Sequence, residues 1–415
     1  MNSVPSHADV LIIGAGPSGS IASAILHSKG HSVVVMEKQT FPRFSIGESL
    51  LPHCMEFVEE AGMLEAVNNY GFQFKNGAAF RKAGKYGFFD FREKFSEGPG
   101  TTFQVERGTF DKLLADEAEK QGVAIFYEYT ITAVEFKEEQ ALVSYTDAAG
   151  NESTITTKFV LDASGFGRVL PRLLDLERPS DFPVRKSIFT HIDDHISDEN
   201  YDRNKILVTV HPEEDDIWFW LIPFSDGRCS LGVVAREDQI NSRKEDTIEK
   251  HIQRFVDEAP ELKALLAKAE YNYPAREIIG YSADVTSLYG KNFALLGNAG
   301  EFLDPVFSSG VTIAMRSASM AANILHRQLS GDDVDWETEY SVPLKKGVNT
   351  FRTFVESWYD CRLQDVIFYK DKKKEVSDMI CSILAGYAWD EKNPYVKEPN
   401  RRMNVLAEIC RMGIA

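Results

Sequence analysis

The sequence holds only five cysteines, Cys54, Cys229, Cys361, Cys381 and Cys410, an odd number with no Cys-x-x-Cys spacing. A disulfide framework and a zinc ribbon are thereby excluded, and a reducing cytoplasm is the expected compartment. Long apolar runs are missing as well: nothing approaches the ~18 residues of a membrane span. The first residues, Met1 to Gly16, carry no basic segment and too short an apolar run for a secretory leader, so none is expected. Positive charge is scarce, with 46 Lys+Arg against 63 Asp+Glu and a net charge of −17, a field that repels phosphate backbones. The one basic cluster, Lys370, Lys372, Lys373 and Lys374, is broken by Asp371 and followed by Glu375. It reads as a solvated helix face, and no nucleic-acid partner is expected. His53, His191, His195 and His211 show no ligand spacing, so no metal site is expected. No internal repeat is present.

What remains is globular in composition, with 43% hydrophobic and 26% charged residues. At 415 residues it is long enough for roughly two or three domains. The first strong element is the strand Asp9–Ile13, apolar on both faces as a buried parallel strand requires. It runs into Gly14-Ala15-Gly16-Pro17-Ser18-Gly19, then a helix pattern through Ile21, Ala22, Ile25 and Leu26 to Gly30. A second strand, Val33–Met36, ends in Glu37, which completes a βαβ unit.

Further along, helical spacing at Phe110, Leu113, Leu114 and Ala118 predicts a helix over about 109–121. Strands follow at 124–129, 131–136, 141–145 and 154–161, the last stopping at Asp162-Ala163-Ser164-Gly165. From 186 to 281 the strands are short and of period two, notably 205–211, 217–223 and 229–234, with a hairpin turn at Ser225-Asp226-Gly227-Arg228. A helical stretch at 245–267 interrupts them, with a break at Pro260. Phe293–Leu296 is again a buried strand, followed by a helix over about 310–329.

This order predicts an α/β fold: a Rossmann-like nucleotide-binding domain from 1–185 with 282–330, a mixed β-sheet domain at 186–281 threaded through it, and a helical C-terminal segment at 331–415. Gly14, Gly16 and Gly19 fit G-x-G-x-x-G between a strand and a helix. Gly14 permits the tight turn, Gly16 lets the backbone approach a pyrophosphate, and Gly19 allows close helix–strand packing. Glu37 is placed to accept hydrogen bonds from an adenosine ribose. The fingerprint alone leaves NAD and FAD open. No second copy of it occurs, and three later segments look like further wraps around one long cofactor. These are Arg107 with Phe110 and Asp111, then Asp162 to Gly165, then Gly297-Asn298 with Asp304-Pro305.

Together with Arg43-Phe44-Ser45-Ile46-Gly47-Glu48-Ser49-Leu50-Leu51-Pro52, these segments resemble the flavin-dependent halogenases. That family lies within the FAD monooxygenases of the p-hydroxybenzoate hydroxylase fold, a group that includes geranylgeranyl reductases. Trp218-Phe219-Trp220-Leu221-Ile222-Pro223 matches the W-x-W-x-I-P element of halogenases, and Phe302 to Val311 resembles their segment near flavin and halide. The resemblance spans about 8–330 and implies an FAD-binding domain of the glutathione-reductase type. It implies that Gly14, Gly16, Gly19 and Glu37 hold the ADP half of FAD. Arg43, Gly47, Glu48 and Ser49 would line the loop beside the flavin, and Arg107 would contact the middle portion of the cofactor. Asp162, Gly165 and Gly297 belong to the later wraps. Asp304 and the Ser309-Gly310 backbone would sit by the ring, where helix N-terminal amides suit a halide. Two departures stand out. The family's Gly-Asp pair is Gly297-Asn298 here, and Phe307 replaces the Glu of tryptophan halogenases, which points away from indole towards phenol- or pyrrole-type substrates.

Lys75 falls where halogenases carry their essential lysine, an amine that holds hypohalous acid near the substrate. The same residue reads equally as a solvated lysine at a strand start. Trp218 and Trp220, two of five tryptophans in the chain, share one strand face. They read as a wall between substrate and flavin or as a plain aromatic stripe. Gly98-Pro99-Gly100 marks a mobile surface turn. The expected activity is an FAD-dependent oxidoreductase, a halogenase using reduced flavin, O2 and chloride or bromide on a small aromatic, free or carrier-tethered, with a flavin reductase as electron donor. The alternatives are an FAD hydroxylase or prenyl-chain reductase on the same scaffold, or a flavin-binding protein without chemistry.

Overall fold

A computed structural model describes residues 3–199 and 201–413. Its first sheet is built around parallel strands, in the order Phe293–Leu295, Glu152–Asp162, His7–Ile13, Val33–Glu37 and Ala124–Tyr127. Val10, Leu11 and Ile12 are fully buried, the reason this strand is apolar on consecutive positions instead of alternating. The first half of Glu152–Asp162 leaves the parallel core to pair antiparallel with Ala141–Thr146, which pairs in turn with Thr130–Phe136. Helices Pro17–Ser28 and Ser309–Leu329 pack against each other. The turn into the first helix depends on two glycines. Gly14 has φ +95°, and a Cβ on Gly19 would lie 1.9 Å from the Gly14 carbonyl oxygen.

The second sheet has seven strands, in the order Arg276–Ile279, Arg185–Asp193, Arg228–Arg236, Trp218–Pro223, Lys205–Val210, Gly77–Lys82 and Lys85–Asp90. Two of these strands lie outside the 186–281 segment expected to form it. Gly77–Lys82 enters by pairing parallel with Lys205–Val210, a long-range match with no local signature. The second face of this sheet is covered by Ile248–Asp257 and Pro260–Leu265, two helices separated where Pro260 stands first in the second. Phe219 and Leu221 meet Ile252, Phe255 and Leu262 on that side. Trp218, Trp220 and Ile222 alternate to the opposite side and join the core shared with the first sheet. The Trp218–Pro223 strand is therefore buried on both faces. Gly232 pairs with Trp220 across the sheet, and a Cβ there would lie 2.2 Å from the indole.

The C-terminal segment is no appendage. Tyr340, Phe351, Phe354 and Trp358, from 337–359, are buried in the same core as the first sheet. Burying each such ring contributes roughly 2–3 kcal/mol, so the segment and the domain of the first sheet stabilise one another. The turn at 98–100 is pinned by Tyr387, whose hydroxyl donates to the Pro99 carbonyl at 2.9 Å. No described helix is long and apolar enough to cross a membrane.

Candidate active site

A cavity of about 740 Å³ lies where the parallel strands end. Ile13, Met36 and Ala163 reach it from the first sheet, while Ile206, Trp218, Trp220 and Ile222 close it from the second. Ligands of open α/β sheets bind at such strand ends, where loops and helix N-termini converge. Of the residues expected from sequence, Gly14, Gly16, Glu37, Arg43, Gly47, Glu48, Ser49, Arg107, Gly165, Asn298 and Gly310 line this cavity, together with both tryptophans.

Gly16 carries the clearest mark of a ligand. Its φ of −72° suits any residue, so no backbone strain calls for glycine. A Cβ there would meet the tip of Arg43 at 3.3 Å and Asp111 Oδ2 at 4.0 Å and nothing nearer, on a residue that lines the cavity. The helix has no side-chain cap, and its first amides are free for phosphate oxygens. Glu37 closes this end, accepting from the Ala15 amide and the Gln39 amide at 2.9 Å each. Arg107 forms a two-pronged ion pair with buried Asp111, at 2.8 and 3.0 Å, and reaches the Ile46 carbonyl. That holds the 43–49 loop, where Gly47 has φ +101° and a Cβ would lie 2.9 Å from Arg107. Glu48 accepts from His191 at 2.7 Å. Burial pulls the His191 pKa down, but the bond to Glu48 and the negative charges of Glu48 and Glu106 together outweigh it, and the net shift is upward.

Other expected residues sit behind the lining. Gly19 and Gly297 make room for backbone and for Ala314. The Asp162 carboxylate accepts from the Ser164 and Leu170 amides, so it shapes the Ala163–Gly167 rim without facing the cavity. Asp304 is 3% exposed, its carboxyl pushed up to about 6 by burial. Asn298 does face the cavity, and its Oδ1 is buried with no partner. A buried acceptor of this kind awaits a hydrogen-bond donor from a ligand in the cavity. The helix Ser309–Leu329 starts from Ser308, which has φ +57° and makes no side-chain cap, leaving the first-turn amides free.

Lys75 lies apart, beside a second, much smaller void of about 10 Å³, room for roughly one water. Leu51, Phe80, Phe91, Val306, Phe307 and Leu384 are among its walls, and Ile206 and Ser308 line both spaces. The lysine is 0% exposed and has no carboxylate partner among the described residues; its Nζ donates to Ser49 Oγ and to the Leu50 carbonyl, both at 2.7 Å. Burial lowers its pKa to about 7. The sequence reading missed the rim at Tyr129, Thr130 and Ile131, which the strand ending at Tyr127 could have flagged.

The FAD binding domain family matches residues 7–338. The chain belongs to that family. This flavoprotein is 28% identical over 431 residues to a 1H-pyrrole-2-carbonyl-(peptidyl-carrier protein) chlorinase of Pseudomonas fluorescens, covering 96% of this chain and 94% of that one. Among solved structures it is similar to a flavoprotein/dehydrogenase from Cytophaga hutchinsonii, with TM-score 0.95, 42% identity and 99% and 100% of the two chains covered. It is also similar to the flavin-dependent brominase Bmp2, with TM-score 0.84, 26% identity and 98% and 100% covered. The cofactor of this flavoprotein is FAD.

Proposed function

We propose that this flavoprotein is a halogenase acting on an electron-rich aromatic, and that Lys75 is its catalytic amine. The observation that carries the reading is a fully buried lysine with no counter-ion, beside a chamber that shares Ile206 and Ser308 with the flavin cavity. Gly14, Gly16 and Glu37 would hold the ADP half of FAD, joined by Arg43, which was expected beside the flavin but stands 3.6 Å from Glu37; Arg107 would hold the middle, and Gly47, Glu48, Asn298 and Gly310 the flavin half. When bound, reduced FAD with O2, halide and a proton supplies hypohalous acid, with water and oxidised FAD as the other products. A neutral amine has two N–H groups; here they point to Ser49 and Leu50, which leaves the nitrogen lone pair for the hypohalous acid. Lys75 would hold the halogen by hydrogen bond or as a haloamine, with loss of water. Transfer to an aromatic carbon then forms the carbon–halogen bond and releases the ring proton.

None of the chamber's lining side chains is a carboxylate; Phe307 lines it, and by the sequence resemblance Phe307 stands where indole halogenases carry a Glu. This supports a phenol- or pyrrole-type substrate, free or carrier-tethered, over an indole. With space for one water, the chamber admits an aromatic ring only when lining side chains such as Phe307 and Leu384 move. A flavin reductase is the proposed electron donor, and the cytoplasm the proposed location, in keeping with five free cysteines. The likeness to a flavoprotein/dehydrogenase favours a second reading, a hydroxylase or reductase on the same scaffold. Product mass separates them. FAD-loaded protein given reduced flavin, O2 and bromide with a panel of phenols and pyrroles should yield bromide-dependent products; oxygenated or reduced products without bromine would favour the second reading.

A further inference from the structure

The helix Val342–Tyr359 carries no sequence motif, yet its last residue joins the flavin side of the molecule to the tryptophan strand. Tyr359 Oη donates to Asp304 Oδ2 at 2.9 Å and accepts from Trp218 Nε1 at 3.0 Å. Asp304 also accepts from the Val306 amide at 3.0 Å, and the chain runs on through Pro305–Phe307 to Ser308, one of the two residues common to the cavity and the Lys75 chamber. The Arg185 guanidinium stacks 3.4 Å from the Tyr359 ring centroid. Three distant segments thus meet at one hydroxyl.

An indole N–H donates only, and a buried one needs an acceptor. Trp218 is 1% exposed and its acceptor is Tyr359. A hydroxyl that donates to a carboxylate is polarised and accepts more strongly, so the two bonds reinforce one another. The indole lines the flavin cavity, and the turn runs through Val306 and Phe307, which line the amine chamber, to Ser308, which lines both.

We propose that Tyr359 is a positioning residue. It holds Trp218 in fixed relation to the Asp304–Ser308 turn, so that oxidised halide reaches Lys75 instead of escaping to solvent. The activity part of this rests on the halogenase reading; the geometric part does not.

The test uses Tyr359→Phe in the full-length, FAD-loaded protein, which keeps the ring and the Arg185 stack and removes both hydrogen bonds. The Trp218 indole N–H, assigned in a 1H–15N spectrum with Trp218→Phe, should exchange about tenfold faster, the effect of losing one buried hydrogen bond. Halogenated product per O2 consumed should fall several-fold at unchanged KM for reduced flavin. Hypobromite trapped outside the protein by monochlorodimedone should rise to match. Trp218→Phe should show the same fall, and the double variant no further fall. Wild-type exchange in Tyr359→Phe overturns the proposal, and so does faster exchange with unchanged coupling, since the bond would then be structural only. A wild-type protein that makes oxygenated product instead sinks the halogenase reading alone; product per O2 in the two variants still decides whether Tyr359 positions the wall.

Discussion

Lys75 Nζ donates to Ser49 Oγ at 2.7 Å, and Ser49 is itself part of the flavin cavity lining. One residue thus lines the cavity that would make the oxidant and bonds the amine that would use it. Such a division of labour predicts separable losses.

Lys75→Ala should reduce halogenation by about 100-fold or more, as removal of a group acting on the reacting atoms does, while FAD affinity stays near wild type. Lys75→Arg should fail almost as badly, because a guanidinium stays protonated. Steady-state product formation and an FAD titration check both. Halogenation by Lys75→Ala at the wild-type rate would remove the chemical ground for the assignment.

The pH dependence follows from burial. Folded Lys75 sheds its proton near pH 7, so amine-dependent turnover should rise with pH through about 7 and fall below it. The unfolded chain keeps that proton to roughly pH 10. Between these values the unfolded state binds more protons, so folding stability contributed by this site rises with pH from about 7 to 10. Lys75→Met should flatten that slope and stabilise the protein at pH 7 by on the order of 2–4 kcal/mol, read from urea unfolding at both pH values. An unchanged slope would show that the amine is solvated.

Gly16→Val should fold and lose FAD. The backbone at Gly16 tolerates a side chain, and its nearest obstacle is the flexible end of Arg43 at 3.3 Å, so the cost falls on the ligand. Circular dichroism with flavin absorbance on the purified variant checks this; retained yellow colour would place the pyrophosphate elsewhere.

Gly232→Ala should do the reverse, destabilising the fold by about 2–3 kcal/mol through overpacking of the Trp220 indole. Thermal unfolding measures it, and a change under 0.5 kcal/mol, on the order of a neutral surface substitution, would contradict the packing described.

Anaerobic stopped-flow tests the electron source. With its one dinucleotide fingerprint committed to FAD, the flavoprotein should be reduced slowly by NADPH alone and quickly once a flavin reductase is supplied. Rapid reduction by NADPH alone would remove the need for that partner.

The cofactor domain was legible because its signals are local. Gly14, Gly19 and Glu37 answer to backbone dihedrals, Cβ clearance and strand length within thirty-odd residues of chain, and each is where the spacing put it. The Trp218–Pro223 strand was legible for the same reason, since a period of two assigns faces without knowledge of the partner. Lys75 by contrast sits on a three-residue strand after an exposed Phe74 and reads as a surface lysine from composition alone. Its burial comes from Leu51, Val306 and Leu384, brought together from three remote segments. The entry of Gly77–Lys82 into the second sheet and the meeting of Tyr359 with Asp304 and Trp218 are equally non-local. Periodicity states which face of an element is apolar; which other element covers it, and which lone polar group is trapped there, is set only when the chain closes on itself.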